Sequence, residues 1–157
     1  MKKLALLMVG VALFLVGCSD EMSGESTTVC RNAPSTLMTT QPDTVVTIEG
    51  MDENILTWTE RVTITPLEYG YYFWGVELSD ADIRDIFDLY ADPIDGLSWH
   101  IVSLDSNTLV FDAVYHYDLM PVRALNEIWE VDDFHREVTL TGAIGGLEDA
   151  GASCRID

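Results

Sequence analysis

The chain has 157 residues, of which 48% are hydrophobic, and it carries 27 acidic residues against eight basic ones. Residues 1–17 contain both lysines and no acid, so the chain from Cys18 onward has six arginines, 27 acids and a formal net charge of −21. Such a charge repels nucleic acid and anionic lipid headgroups, which argues against nucleic-acid binding and against a membrane partner other than a covalent lipid. The apolar content and four tryptophans argue against a disordered chain.

The first feature of the chain is the pattern of a bacterial lipoprotein signal. Two lysines precede an apolar run over residues 4–16, which is too short to span a bilayer as a helix of about 20 residues. The run ends in Leu15-Val16-Gly17-Cys18, which matches a lipobox. We therefore predict a signal peptide over residues 1–17 and cleavage before Cys18. An ordinary signal peptide with a chance cysteine is the alternative.

The lipobox predicts a covalent diacylglycerol and acyl lipid, of the palmitate kind, on Cys18, and no other cofactor. Each buried acyl CH₂ contributes about 0.8 kcal/mol, so two or three chains would hold the protein to a membrane. The predicted location is the extracytoplasmic face of a bacterial cell membrane, and the predicted membrane contact is made through the lipid alone.

The chain beyond the anchor divides into a tether and one domain. Residues 18–28 are rich in Ser, Thr, Gly and acids, which predicts a flexible tether, and residues 29–157 form the domain. Cys30 and Cys154 bracket this domain. Because an exported location permits disulfides, we predict that the pair clasps the ends of the domain. Two free thiols are the alternative.

The first elements of the domain are a predicted β-hairpin over residues 44–49 and 55–64. One strand face is predicted to hold Leu56, Trp58, Val62 and Ile64. A strongly aromatic stretch follows over residues 67–78, as a third strand or an extended loop that covers the sheet. If exposed, it would mark a surface for a protein or glycan partner, and its candidate binding residues are Tyr69, Tyr71, Tyr72, Phe73 and Trp74.

Ser79 and Asp82 form a capping box that opens a predicted helix ending before Pro93. A second hairpin is predicted over residues 99–104 and 109–117. A short helix begins at Pro121, a charged connection covers residues 130–137, and a last helix begins at Thr139 or Thr141 and ends at Gly151. The residues predicted to face the core from these helices are Ile83, Ile86, Phe87, Tyr90, Val122, Leu125, Ile128, Trp129, Leu140, Ala143, Ile144 and Leu147.

The order of elements predicts an α+β fold in which an antiparallel sheet, built from two hairpins, packs against helices. The sequence also resembles the YehR-like family of small bacterial lipoproteins. The resemblance rests on residues 27–30 (TTVC), the hairpin over residues 45–64 and residues 146–155 (GLEDAGASCR). It implies a lipid-anchored α+β domain with no established activity. This chain differs in lacking the family's lysines and in its aromatic stretch.

Motifs of nucleophilic, metalloprotease, P-loop and dinucleotide sites are absent from the sequence, and no catalytic residue is predicted. Asp112 and His116 share one face of a predicted strand, a spacing that suits a metal, a proton relay or an ordinary surface pair. The predicted metal content is none. The weak candidates for a divalent site are Asp92, Asp95, Asp132 and Asp133.

These patterns predict a non-catalytic binding or interaction module, anchored by lipid and with an unknown ligand. The alternative is a divalent-cation-binding envelope protein, motivated by the acidity. A third hypothesis is an enzyme that acts on envelope polymers through a pair of carboxylates.

Overall fold

The computed structural model describes residues 24–35, 43–65, 79–89, 91–92 and 94–157. Six strands and four helices lie in these ranges. The strands are β1 (Glu25–Arg31), β2 (Asp43–Met51), β3 (Asn54–Ile64), β4 (Leu97–Leu104), β5 (Leu109–His116) and β6 (Ser153–Ile156). The helices are α1 (Asp80–Leu89), α2 (Val122–Trp129), α3 (Phe134–Glu137) and α4 (Leu140–Asp149).

The strands form one antiparallel sheet in the order β4-β5-β3-β2-β1-β6. The two predicted hairpins are β2–β3 and β4–β5, and they are joined side by side through β3 and β5. The predicted α+β class is confirmed. The sheet is larger than predicted, because β1 and β6 extend it by two strands. Residues 25–28, which the sequence assigned to a flexible tether, lie in β1 and pair with β2.

One face of the sheet, called the core face below, lies under the helices. Alternate side chains of β2, β3 and β5 point to it and are buried, as period-two alternation requires. They form two apolar clusters. The larger packs under the C-terminal helices and contains Val46, Ile48, Trp58, Tyr115, Leu125, Phe134, Leu140 and Leu147 among others. The smaller packs under α1 and consists of Val62, Ile64, Ile83, Phe87, Leu109 and Phe111.

The prediction that Leu56 faces the core is wrong, because the side chain is 38% exposed. A bulge causes the difference: Glu49 pairs with Thr57 and Gly50 pairs with Ile55, which leaves Leu56 without an opposite residue in β2. Val122 is likewise 49% exposed, since only the later turns of α2 reach the core, beginning at Leu125.

The segment over residues 130–137 was predicted as a charged connection, but it contains α3 and a buried aromatic residue. Phe134 is 3% exposed and lies with its ring centroid 5.2 Å from that of Tyr117 and 5.9 Å from that of Trp129. Two apolar residues among charges, Val131 and Phe134, are too few to define a helical period from which this contact could be predicted.

The predictions for α4 are confirmed at both ends. Thr139 Oγ1 accepts a hydrogen bond from the Gly142 N–H at 3.0 Å, so Thr139 is the N-cap. Gly151 has φ +99°, the conformation expected just past a helix end. The four predicted core residues, led by Leu140, are all buried. Gly50 permits this packing, since a Cβ there would lie 2.5 Å from Leu140 Cδ2.

Candidate functional site

The disulfide joins the two ends of the domain, as predicted. Cys30 in β1 and Cys154 in β6 are direct partners in the sheet, with their Cα atoms 4.0 Å apart and a sequence separation of 124. Cys30 is fully buried. The bond therefore fixes the short edge strand β6 to β1 and closes nearly the whole domain into one loop.

The face of the sheet opposite the helices, called the outer face, holds a group of interacting charges that spans three strands. Its threonines and valines are half-buried rather than covered, for example Thr47, Thr59 and Val114. The strand register places four polar side chains and one valine in a single row across this face, from β1 to β4. The members of that row are Arg31, Val45, Arg61, Asp112 and His100.

Asp112 is the centre of the row. The Arg61 guanidinium donates from Nε to Oδ1 and from Nη2 to Oδ2, each at 2.7 Å. His100 Nε2 lies 3.4 Å from Oδ2 on the other side. Asp112 is 5% exposed, whereas the side chains of Arg61 and His100 are 53% and 57% exposed. The buried Asp112 carboxylate thus connects β5 to β3 and β4 through the accessible side chains of Arg61 and His100.

The hydrogen bonds and the charge of Asp112 raise the pKa of Arg61 above its already high ordinary value, so Arg61 stays a cation. Arg31, two strands away, is exposed and forms no ion pair with any residue in the described ranges. Adjacent strands lie about 4.8 Å apart, which puts the backbones of Arg31 and Arg61 about 10 Å from each other. The row can therefore contact an anion at two spaced cationic positions.

Asp112 and His116 lie on the same face of β5, as the sequence predicted. His116 is exposed at the end of the strand, directly opposite Thr57, and the histidine that contacts Asp112 is His100 on the neighbouring strand. Neither His100 nor Arg61 could be assigned to Asp112 from the sequence, because the contact depends on β5 lying between β3 and β4.

A second buried acid, Glu60, lies on the core face, and the sequence did not identify it as a site residue. It is fully buried between the two apolar clusters, next to Trp58 of the larger and Val62 of the smaller. Trp58 Nε1 donates to Glu60 Oε1 at 3.1 Å, and Ser35 Oγ donates to Oε2 at 3.4 Å. The available signal was an acid at a position where the alternation of β3 requires an apolar residue.

A second buried polar side chain, Tyr117, lies near Glu60. Tyr117 nearby is buried, and burial raises its pKa well above the ordinary value, with a smaller contribution in the same direction from Glu60. The Tyr117 hydroxyl accepts a hydrogen bond from Trp129 Nε1 at 3.2 Å. Glu60 is therefore a polar group built into the apolar face of the sheet.

The predicted metal candidates do not converge. Asp92, Asp95, Asp132 and Asp133 are exposed, and no three acids, histidines or cysteines form a metal-binding group within the described ranges. Asp133 instead precedes α3, where its backbone N–H donates to Glu137 Oε1 at 3.1 Å. Cys18 and the aromatic candidates Tyr69, Tyr71, Tyr72, Phe73 and Trp74 lie outside the described residues.

None of the helices in the described ranges is long and apolar enough to cross a membrane.

Comparison with solved structures finds two similar chains. A protein from Streptococcus pneumoniae TIGR4 has a TM-score of 0.57 and 12% identity over 99% of each chain. The second is the E. coli protein YehR. The fold of this chain is similar to that of YehR. The TM-score is 0.52 with 11% identity, over 87% of this chain and 93% of YehR.

The resemblance to YehR that the sequence suggested is thus confirmed at the level of the fold. At these identities the likeness concerns the fold and not the function. No family model matches the sequence, and no curated protein matches it.

Proposed function

We propose that the protein is a lipid-anchored, extracytoplasmic module of a bacterial envelope that binds an anionic ligand on its outer face and has no catalytic activity. The lipobox at residues 15–18 supports the anchor. The Cys30–Cys154 bond supports export, because structural disulfides persist outside the cytoplasm and are rare within it.

The observation that carries the binding role is the distribution of positive charge. The chain from Cys18 onward has six arginines, and three of them, Arg31, Arg61 and Arg155, occupy outer-face positions of the sheet. Two of the three histidines, His100 and His116, do so as well. Asp43 and Glu49 share this face, but the row that holds Arg31 and Arg61 offers an anion two cationic positions.

Arg31 and Arg61 would contact such a ligand in different ways. Asp112 occupies two donors of Arg61 and holds its guanidinium in place, while the remaining donors stay on the exposed side. Arg31 has no such restraint among the described residues and would adapt to the ligand. Half-buried threonines beside them, such as Thr47 and Thr59, offer hydroxyl donors.

The binding role is tested by titrating the folded domain with polyphosphate as a generic polyanion, at fixed ionic strength. Arg31→Gln should weaken binding several-fold. The matched control is Arg84→Gln, which removes the same charge from an exposed position on α1. Equal loss in both variants would show attraction to charge without a site, and no binding by the parent protein would contradict the proposal.

The anchor is tested separately by fractionating cells that produce the full chain or Cys18→Ala. The parent protein should sediment with membranes and incorporate labelled palmitate, and the variant should do neither. Parent protein that is soluble and unlabelled would contradict the anchor while leaving the binding result unaffected.

A further inference from the structure

The chain enters the sheet at one defined end. The Gly24 N–H donates to Asp52 Oδ1 at 2.8 Å, and the Asp52 N–H donates to the Gly24 carbonyl at 3.0 Å. Asp52 lies in the turn between β2 and β3, so β1 begins beside that turn. This end, where β1, β3 and β4 begin and β2 and β5 finish, is called the tether end.

Exposed apolar side chains collect at the tether end. The described ranges contain eight large hydrophobic residues that are exposed, and six of them lie there. They are Met51 (42%), Leu56 (38%), Ile94 (39%), Leu119 (62%), Val122 (49%) and Ile156 (55%).

Pairings and hydrogen bonds establish this placement for four of the six. Met51 is opposite Glu25, the first residue of β1. Leu56 accepts at its carbonyl from the Tyr117 N–H, and the Leu119 N–H donates to the His116 carbonyl at the end of β5. Ile94 pairs with Leu97, the first residue of β4. Val122 closely follows Met120, whose N–H donates to the His116 carbonyl, and Ile156 pairs with Thr28, three residues after the start of β1. Single exposed apolar residues are common, but most of those described here share one end.

The opposite end differs. Its described turn joins β4 to β5 and is polar, with Asp105 Oδ1 accepting from the N–H groups of Asn107 and Thr108. The remaining exposed apolar residues, Leu89 and Val102, lie on α1 and within β4. Among the described residues, apolar exposure is therefore concentrated where the N-terminal segment arrives.

We infer that the tether end rests on the lipid surface and embeds its apolar side chains in the membrane interface. This inference rests on the lipid anchor proposed above. Five residues lie between Cys18 and Gly24, so the reach from one to the other is at most roughly 20 Å. β3 alone, with 11 residues, is about 36 Å long. A lipid on Cys18 therefore keeps the tether end close to the membrane and leaves the opposite end standing away from it.

Several acids at the tether end are engaged by the protein itself. Asp52 accepts from Gly24, and Glu53 accepts from the N–H and hydroxyl of Thr141 at 3.1 and 2.8 Å. Asp157 pairs with Arg155 at 3.0 Å. The overall negative charge still opposes anionic headgroups, so the contact should be firmest on zwitterionic lipid and weaker when anionic lipid is added at low salt.

The test uses the full, lipidated protein in phosphatidylcholine vesicles, with one fluorescent label on an introduced cysteine. Leu119→Cys places the label at the tether end, and Ser106→Cys places it in the opposite turn. Iodide in the water should quench the label at 119 at least threefold less than the label at 106. Equal quenching of both labels would overturn the lipid contact and assign the apolar end to a protein partner.

A second variant separates the apolar contact from simple nearness to the anchor. With the label at Met51→Cys, the exposed pair Leu119→Ser and Val122→Ser should raise iodide quenching at least twofold, whereas Leu89→Ser should leave it unchanged. The mass of the purified protein reports lipidation in the same sample. An unmodified Cys18 would overturn the anchor and this inference with it, while lipidated protein with unshielded labels would overturn this inference alone.

Discussion

Glu60 and Asp112 are two buried carboxylates on adjacent strands of one sheet, and they lie on opposite faces. Asp112 on the outer face is held by Arg61 and His100, both of which reach solvent. Glu60 on the core face accepts hydrogen bonds from Trp58 and Ser35, which are neutral donors. Their exposures are 0% for Glu60 and 5% for Asp112, so burial alone does not distinguish them.

The difference lies in the hydrogen-bond partners and not in the degree of burial. A cation within hydrogen-bond distance stabilises a charged carboxylate, and Arg61 holds that position beside Asp112. Asp112 can therefore act as a charged link between β3, β5 and β4 at an accessible surface. Glu60 acts as a polar group inside the core, between two apolar clusters.

The largest expected effect on stability comes from removing the disulfide that joins β1 and β6. The cross-strand row through Glu60 runs through Val46 to Cys30 and Cys154. Replacing both cysteines by alanine should lower the free energy of unfolding by about 4–5 kcal/mol, because the closed loop is long. Urea unfolding followed by tryptophan fluorescence measures this. Reducing the parent protein should have the same effect, and an unchanged midpoint after reduction would contradict it.

The next effect concerns the outer face. Asp112→Ala should lower the free energy of unfolding by about 2 kcal/mol, since it removes hydrogen bonds to charged groups from a buried position. A double-mutant cycle with Arg61→Ala isolates the pair and should give a coupling of about 1 kcal/mol or more. Additive effects of the two substitutions would show that the bidentate contact contributes nothing to stability.

A smaller effect should come from replacing each acid by its amide. At pH 7, Asp112→Asn should destabilise, because it removes the charge that Arg61 contacts. Glu60→Gln should cost less stability, because glutamine keeps an oxygen that can accept from Trp58 Nε1. Equal destabilisation by both substitutions would contradict this contrast.

The smallest expected effect is on the pH dependence of stability. It comes from replacing Asp82, an exposed acid that serves as a reference for the buried Glu60 and Asp112. The Ser79 hydroxyl and N–H donate to Asp82 Oδ2 at 2.6 and 2.9 Å and lower the pKa of Asp82. A lowered folded pKa adds stability above the ordinary aspartate range, and that stability is lost as the pH falls through the folded pKa. Asp82→Asn should therefore flatten the acid side of the melting profile slightly.

The control for this measurement is Asp85→Asn, which neutralises another exposed acid of α1. It should leave the shape of the profile close to that of the parent protein. An identical profile for Asp82→Asn and the parent would show that the capping box does not contribute to the pH dependence.

Local patterns predicted most elements of this fold. Alternation identified both hairpins, and spacing identified the core residues of α4. Contacts between distant segments were not predictable in this way. β6 has four residues and exists because Cys154 and its neighbours pair with β1. β1 is rich in Ser and Thr, a composition typical of a tether. It forms a strand because β2 and β6 pair with it on either side.

In the candidate site, too, the sequence predicted some residues and missed those whose contacts join distant segments. The cysteine pair was predicted, because the domain contains two cysteines and the signal pattern in the sequence predicts export. The row of Arg61, Asp112 and His100 was not, since it requires the order of strands β3, β5 and β4. Glu60 was detectable as a break in alternation, but its partner Ser35 lies 25 residues away in sequence.

The central claim is that Cys18 carries the lipid that holds this domain at the envelope. The most direct test is the intact mass of the protein purified from bacterial membranes, compared with that of Cys18→Ala. The account predicts a chain that begins at Cys18, with the added mass of diacylglycerol or of diacylglycerol and a further acyl group, and no such species for the variant. A membrane-purified chain with an unmodified Cys18, or one cleaved elsewhere, would contradict it.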